Sequence, residues 1–434
     1  MAAPASSSDS FTIRCSHCQG LFDVPYVKVG THVSCPHCQA VLVVPPAPQS
    51  SGPQSNAPQT SVSSTSQSNV GLQSARSESR SAMTAANESM GQRATSEPET
   101  PAQDASSSLM QLVREGHQSP GKDLYDRMTR EISKVFVGQD ELVLGTLVGL
   151  FSSGHVLIES VPGLGKTLFV RTLGQVLGCD FGRIQFTPDL MPSDVTGTPI
   201  FNVKTQEFYF HAGPVFTKLL LADEINRAPA KTHAALLETM QEYRVTIDSQ
   251  VHPMPRPFFV LATQNPIESE GTYNLPEAQL DRFMFQLRMD YPSLMEETTI
   301  LKMHGGQANV DDQLQQLNRI TSSEEILQFT KATEAVRVEE AVIDYIAKVV
   351  RQTRHWPQIH LGASPRAGIT LMRAARTLAM FAGRDFVVPD DISHLYRPAL
   401  RHRIILTPEA EVEGFSTDQV LTDVLRTVEV PRMN

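Results

Sequence analysis

A mostly apolar run, His155-Val156-Leu157-Ile158-Glu159, opens directly onto Ser160-Val161-Pro162-Gly163-Leu164-Gly165-Lys166-Thr167. No other feature narrows the possible folds of this chain as far. A strand that ends in a glycine-rich turn and re-emerges as a helix points backbone N–H groups, and the positive end of the helix dipole, at whatever lies above the turn. Phosphate suits such a turn: Lys166 would reach the β/γ-phosphates and the Thr167 hydroxyl would ligate Mg²⁺. About sixty residues later Leu219-Leu220-Leu221-Ala222 runs into Asp223-Glu224, and Phe258-Phe259-Val260-Leu261-Ala262-Thr263 runs into Gln264-Asn265. One carboxylate at the end of a buried strand can hold the metal, and a second can orient water. Taken in order, these strand ends indicate a nucleotide hydrolase. Ser160 stands where the usual pattern has glycine, a departure small enough for the turn to tolerate.

Three regions separate along the 434 residues. Residues 10–46 hold two cysteine pairs among short β-rich runs, Phe11-Thr12-Ile13, Val27-Lys28-Val29 and Val41-Leu42-Val43-Val44. Residues 47–108 are Ser, Gln, Ala, Pro and Thr with scattered charges and no aromatic residue. Such a composition cannot bury enough apolar surface to offset ordering entropy, and it predicts a disordered linker spanning roughly 40–47 Å. From 109 the pattern becomes periodic. Leu124, Met128 and Ile132 recur at helical spacing, a second helix is expected near 140–152, and strand-like and helix-like runs alternate from 155 to about 287. That alternation predicts a parallel sheet between helices, an α/β core over 109–291. Two β-hairpins interrupt it, Ile200-Phe201-Asn202-Val203 with Phe208-Tyr209-Phe210, and a second over residues 244–255. Residues 292–434 read as a helical domain, with helices expected over 324–335, 339–353, 365–381 and 390–396.

The stretch from Tyr125 to about Val430, roughly seventy per cent of the chain, resembles the MoxR family of AAA+ ATPases. The resemblance rests on Val137-Gly138-Gln139, on Gln185-Phe186-Thr187-Pro188-Asp189-Leu190-Met191-Pro192-Ser193-Asp194 and on Gly213-Pro214-Val215-Phe216. It rests equally on Asp223-Glu224-Ile225-Asn226-Arg227-Ala228-Pro229, Leu275-Pro276-Glu277-Ala278-Gln279-Leu280-Asp281-Arg282-Phe283 and Gly362-Ala363-Ser364-Pro365-Arg366-Ala367. It implies an AAA+ P-loop core with hairpin insertions and a C-terminal helical lid, assembled as a ring, a hexamer, with ATP between subunits. By position, Pro162, Gly163, Leu164, Gly165, Lys166 and Thr167 would embrace phosphate and Asp223 would position Mg²⁺. Glu224 would polarise the attacking water and Asn265 would sense it. Arg282 resembles the finger that reaches a neighbour's γ-phosphate, where it competes with a plain salt bridge to Asp281 or Glu277. Arg366 resembles the nucleotide-sensing arginine of the helical domain, and it could instead be a solvent-facing residue at a helix start. The hairpins resemble insertions of the branch that includes magnesium-chelatase subunits, directed at a ring pore or a client. They could equally be surface hairpins that cap the sheet edge.

Cys15-Ser16-His17-Cys18 and Cys35-Pro36-His37-Cys38 give C-x₂-C, a sixteen-residue spacer and C-x₂-C again. Two such turns present four thiolates tetrahedrally, and Zn²⁺, ahead of iron, is the metal expected at Cys15, Cys18, Cys35 and Cys38. The region resembles a small zinc ribbon. His17 and His37 would be crowded as further ligands, and the solitary Cys179 reads as packing.

A net charge of −10 and a pI near 5.7 count against a generally basic nucleic-acid-binding surface. The N-terminus lacks a signal-peptide pattern and no apolar run is long enough for a bilayer, so a soluble, cytoplasmic protein without a membrane span is expected. The family resemblance implies a chaperone-like ATPase that remodels or matures client proteins, often with von Willebrand factor A-domain partners. The alternative is a nucleic-acid-directed motor or regulator whose ribbon grips DNA.

Overall fold

Alternating residues of the strands pack into two separate apolar layers, which is how a sheet buried on both faces must behave. The computed structural model describes residues 10–14, 21–25, 32–38, 41–43, 113, 116–266, 273, 275–305 and 309–432. They fall into two units, divided between Gly91 and Gln92.

In the first unit β1 (Ser10–Arg14) pairs antiparallel with β2 (Leu21–Pro25), and β3 (His32–Ser34) with β4 (Val41–Val43). A turn at residues 36–38 follows β3, with Cys35 buried and Cys38 exposed. The His37 N–H donates to Cys35 Sγ at 3.4 Å. Cys15, Cys18, the expected strand at 27–29 and the linker over 47–108 lie outside the described residues.

The second unit is built on a five-stranded parallel sheet. Its strands are β5 (Val156–Ser160), β6 (Phe181–Gln185), β9 (Leu219–Asp223), β12 (Phe259–Gln264) and β13 (Phe285–Met289), in the spatial order β13-β5-β12-β9-β6. Between β6 and β9 in sequence lies the hairpin β7 (Gly197–Asn202) and β8 (Glu207–Ala212). A second hairpin, β10 (Arg244–Ile247) and β11 (Gln250–Pro253), precedes β12. Val156, Ile158, Leu219, Leu221, Phe259 and Leu261 face one layer, shared with helices Pro120–Ile132, Asp140–Phe151 and Lys166–Leu177. Leu157, Leu220, Ala222, Val260 and Ala262 face the other, against Leu236, Leu237 and Met240 of helix Ala230–Glu242. The apolar runs expected as strands are therefore central strands with no solvent face.

The rest is helical, as the pattern after Pro292 predicts, in helices Ser323–Thr333, Glu340–Gln352, Pro365–Phe381 and Pro389–Leu400. Buried Val342, Tyr345, Ile346, Val349 and Val350 repeat at helical spacing and fix which face Glu340–Gln352 turns inward. Arg384 grips Asp391 through two bonds of 2.9 and 2.6 Å, and Asp391 also accepts from the Val388 N–H at 2.9 Å. Helices Leu294–His304, Val310–Gln315 and Thr417–Arg426 and a small sheet of β14 (Ile359–Leu361) and β15 (Ile405–Leu406) complete the unit. Among the described residues no helix is long and apolar enough to cross a membrane.

Candidate active site

Strand register gathers most of the predicted residues at one edge of the sheet. Gln185 stands opposite Asp223, Gln264 opposite Glu159, and Met289 opposite Ser160. Residues 166–167, 223–224 and 265 therefore sit at or just beyond the carboxyl ends of neighbouring parallel strands. In open α/β sheets that crevice is where ligands bind.

The phosphate turn has the backbone such a ligand requires. Gly163 and Gly165 adopt φ of +88° and +83°, a region that L side chains avoid. A Cβ placed on Gly163 would meet nothing within 4 Å, so the cradle is open. Gly165 is the N-cap of helix Lys166–Leu177, and no side chain caps the helix there. The first N–H groups of the helix are left for a ligand. Ser160 is buried, and its hydroxyl donates to the carbonyl of Val161 at 3.2 Å, so the serine is absorbed by its own turn.

Thr263 organises the two carboxylates. Its hydroxyl donates to Asp223 Oδ1 at 2.6 Å and accepts from the Glu224 N–H at 2.9 Å. Glu224 has a left-handed backbone, φ 56° and ψ 49°, which for a non-glycine residue is a sparsely populated state held by its surroundings. Arg183 pairs with Asp223 Oδ2 at 2.7 Å. Gln185 donates to Glu224 Oε2 at 2.7 Å, and Arg227 lies 3.2 Å from the same oxygen. Asn265, one residue past β12, is buried.

Beside the glycine-rich turn lies a cavity of about 520 Å³ that sequence reasoning gave no role. Val135, Phe136, Val137, Tyr291, Ile300 and Leu301 supply apolar walls, and Pro162 to Gly165 form its floor. It is large enough for a planar heterocycle. The signal for it lay in Val137-Gly138-Gln139, which carries the family resemblance without a stated function.

Arg282 and Arg366 are not at this edge. They line a second cavity, about 420 Å³, together with Gly154, His155 and Arg373. Gly154 and His155 precede β5, whereas the phosphate turn follows it, so the two cavities open at opposite ends of one five-residue strand, roughly 16 Å long. Asp281 is taken by Arg403 at 2.7 Å and by the Ser364 hydroxyl at 3.2 Å, and among the described residues Arg282 makes no ion pair. Arg366 is exposed in the first turn of helix Pro365–Phe381, as the simpler of its two expectations also has it. His155 is buried against the rings of Tyr243, Phe258 and Phe259. Its Nδ1 accepts from the Val260 N–H at 3.1 Å, so Nε2 carries the proton donated to the Met240 carbonyl at 3.2 Å. Desolvation holds its pKa down to about 4.

Comparison with known proteins agrees with this geometry. The signature of the ATPase family associated with various cellular activities (AAA) matches residues 155–285, and that of the AAA lid domain matches 351–424. Chaperone MoxR1 of Mycobacterium tuberculosis is 46% identical over 318 residues, covering 71% of this chain and 83% of that one. Uncharacterized protein YeaC of Bacillus subtilis is 45% identical over 71% of this chain and 95% of its own length. Protein MoxR of Methylorubrum extorquens is 30% identical over 71% and 94%. A crystal structure of a Cytophaga hutchinsonii protein, classed provisionally as an ATPase, superposes with a TM-score of 0.66 at 41% identity and covers 76% of this chain and 98% of that one. The chain belongs to the MoxR family of AAA+ ATPases.

Proposed function

We propose that this chain hydrolyses ATP at a site shared between subunits of a hexameric ring and uses the cycle to remodel or mature client proteins. In this reading Lys166 contacts the β/γ-phosphates, Thr167 and Asp223 hold Mg²⁺, Glu224 polarises the attacking water and Asn265 orients it. Mg²⁺, when bound, neutralises charge building on the phosphates. The apolar cavity beside the turn takes the adenine. Arg282 and Arg366 serve the phosphate of a neighbouring subunit.

One observation carries the shared site: the arginine cavity and the phosphate turn open at opposite ends of β5. A subunit's own arginines are poorly placed for its own phosphate turn, and a neighbour's can supply what is missing. Phosphoryl transfer depends on positioning and charge neutralisation, and a finger arginine supplied by a neighbour contributes about 10³–10⁵ in kcat. The test mixes Arg282→Ala subunits with Lys166→Ala subunits, each inactive alone. Recovered turnover supports the shared site, and silence in the mixture refutes it.

The β7–β8 hairpin supports a client-facing role. Val203 and Phe208 are 80% and 72% exposed, and Phe201 packs on Phe208 with ring centroids 5.0 Å apart. Phe210 stacks on His252 at 4.0 Å, so the two hairpins brace one another. We further propose that Cys15, Cys18, Cys35 and Cys38 bind one Zn²⁺ in a ribbon used for protein docking. The doubled C-x₂-C spacing supports this reading, and the His37 N–H bond to Cys35 Sγ is compatible with it. Cytoplasmic residence and von Willebrand factor A-domain partners complete the proposal.

A further inference from the structure

The segment that carries Arg282 is short and needs something to hold it. Helix Glu277–Leu280 has only four residues, and the chain then turns through 281–284 into β13. What holds it comes from the helical domain, 119 to 122 residues further along the chain.

Arg403 follows helix Pro389–Leu400 by one turn, and its side chain is 2% exposed. Its guanidinium donates to Asp281 Oδ1 at 2.7 Å and to the backbone carbonyls of Asp281 at 3.2 Å, Phe283 at 2.7 Å and Met284 at 3.2 Å. It also reaches Thr370 Oγ1 at 3.3 Å and the Ala399 carbonyl. His402 Nε2 adds a 3.1 Å bond to the Phe283 carbonyl. Arg282 is thus bracketed: the residue before it is held by side chain and backbone, and the two after it by backbone. A planar fork with five donors can satisfy this set, and a lysine ammonium cannot.

The clamp grips peptide groups rather than packing side chains, so it fixes where the backbone of residue 282 sits. Among the described residues the Arg282 guanidinium itself makes no ion pair. Two residues away Arg401 pairs with Asp418 at 3.1 Å, Asp418 with Arg288 at 2.7 Å, and Arg288 with Glu159 at 3.4 Å. Glu159 adjoins Ser160 of the phosphate turn. One turn of the helical domain therefore touches the finger segment directly and the phosphate-turn strand through a chain of three ion pairs.

We propose that Arg403, assisted by His402, is the positioning residue for Arg282, so that the helical domain sets how well one subunit completes its neighbour's site. The proposal rests on the shared-site reading. A misplacement of about 1 Å can cost roughly 10²-fold in rate.

The experiment uses full-length chains in mixed assemblies. Arg403→Lys and Arg403→Ala are expected to lower kcat by about 10²-fold with ATP affinity within roughly threefold, because their own phosphate turns are intact. Mixing either with Lys166→Ala, which supplies an intact finger, should restore turnover, and mixing either with Arg282→Ala should not. Unchanged kcat, or a loss that Lys166→Ala does not rescue, overturns the positioning role. If neither Arg403 variant folds, Asp281→Asn loosens the same clamp from the other side and is judged by the same two mixtures. Failure of the Arg282→Ala and Lys166→Ala pair alone would instead remove the shared site. Success of that pair with failure of the Arg403 mixtures removes only the clamp.

Discussion

Thr263 and Asp223 are joined across β12 and β9 by a 2.6 Å hydrogen bond, and the same hydroxyl receives the Glu224 N–H. A wholly buried threonine thus fixes both the orientation of one carboxylate and the unusual backbone of the next residue. Thr263→Val keeps the volume and removes both bonds. It should cost about 1–3 kcal/mol of stability and lower kcat by roughly 10²-fold through misplacement of Glu224. Thr263→Ser should retain most of the activity. Thermal unfolding and steady-state ATPase assays check both.

Glu224→Gln removes the charge that polarises water and leaves the phosphate turn untouched. ATP binding should persist, turnover should fall by at least about 10²-fold, and rings loaded with ATP should accumulate. Size-exclusion chromatography with bound-nucleotide analysis reads the outcome, and undiminished turnover would rule out the assigned role.

Gly163→Ala separates binding from folding. At φ +88° an L residue pays roughly 1–2 kcal/mol, yet its methyl would meet no protein atom within 4 Å. Stability should change little beyond that backbone strain. ATP affinity should fall more than tenfold, because the methyl enters the space that phosphate needs. Calorimetric titration with a non-hydrolysable ATP analogue measures it.

These residues differ in how readable they were. Lys166, Asp223 and Glu224 were legible because a strand followed by a turn is written locally, and their register follows from central strands with no solvent face. Arg403 was not, since nothing near it in the chain reports that residues 281–284 will lie against it. Helix Leu294–His304 went unseen for a different reason: none of its residues is buried, with Leu294 and Met295 81% and 78% exposed, so no apolar period marks it. Its capping box, Ser293 with Glu296, was the available signal. In the cysteine-bearing unit the apolar runs of β1 and β4 were legible, whereas β2 was missed because Asp23 and Pro25 interrupt it and β3 because Val33 is its one apolar residue.

His155 makes stability depend on pH. The folded site holds the imidazole near 4 and the unfolded chain near 6.5, so above pH 6.5 both states are neutral and the difference vanishes. As pH falls from 6.5 towards 4 the unfolded chain takes up a proton that the folded chain refuses. Stability should then drop by roughly 3 kcal/mol over that window and level off below it. Burial also pushes His402 well down, which adds in the same direction. His155→Gln, which can donate to Met240 and accept from Val260, should flatten the dependence of Tm on pH.

Cys35→Ser, or treatment with a strong chelator, should release one Zn²⁺ per chain. Basal ATPase activity should stay within about twofold, as expected for a module outside the catalytic unit. Removing residues 1–108 should do the same. Collapse of the catalytic unit on deletion would contradict this.

The placement of the two cavities at opposite ends of β5 also restricts symmetry. In a two-fold pair residue i meets residue j and j meets i, so two subunits complete each other's sites only where both cavities open onto one shared face. A head-to-tail contact joins unlike ends on different faces, and such a contact repeats until the rotation closes on itself. In such an assembly no subunit would finish its own chemistry: a copy lacking Lys166 would silence its own site alone, and a copy lacking Arg282 would silence its neighbour's alone.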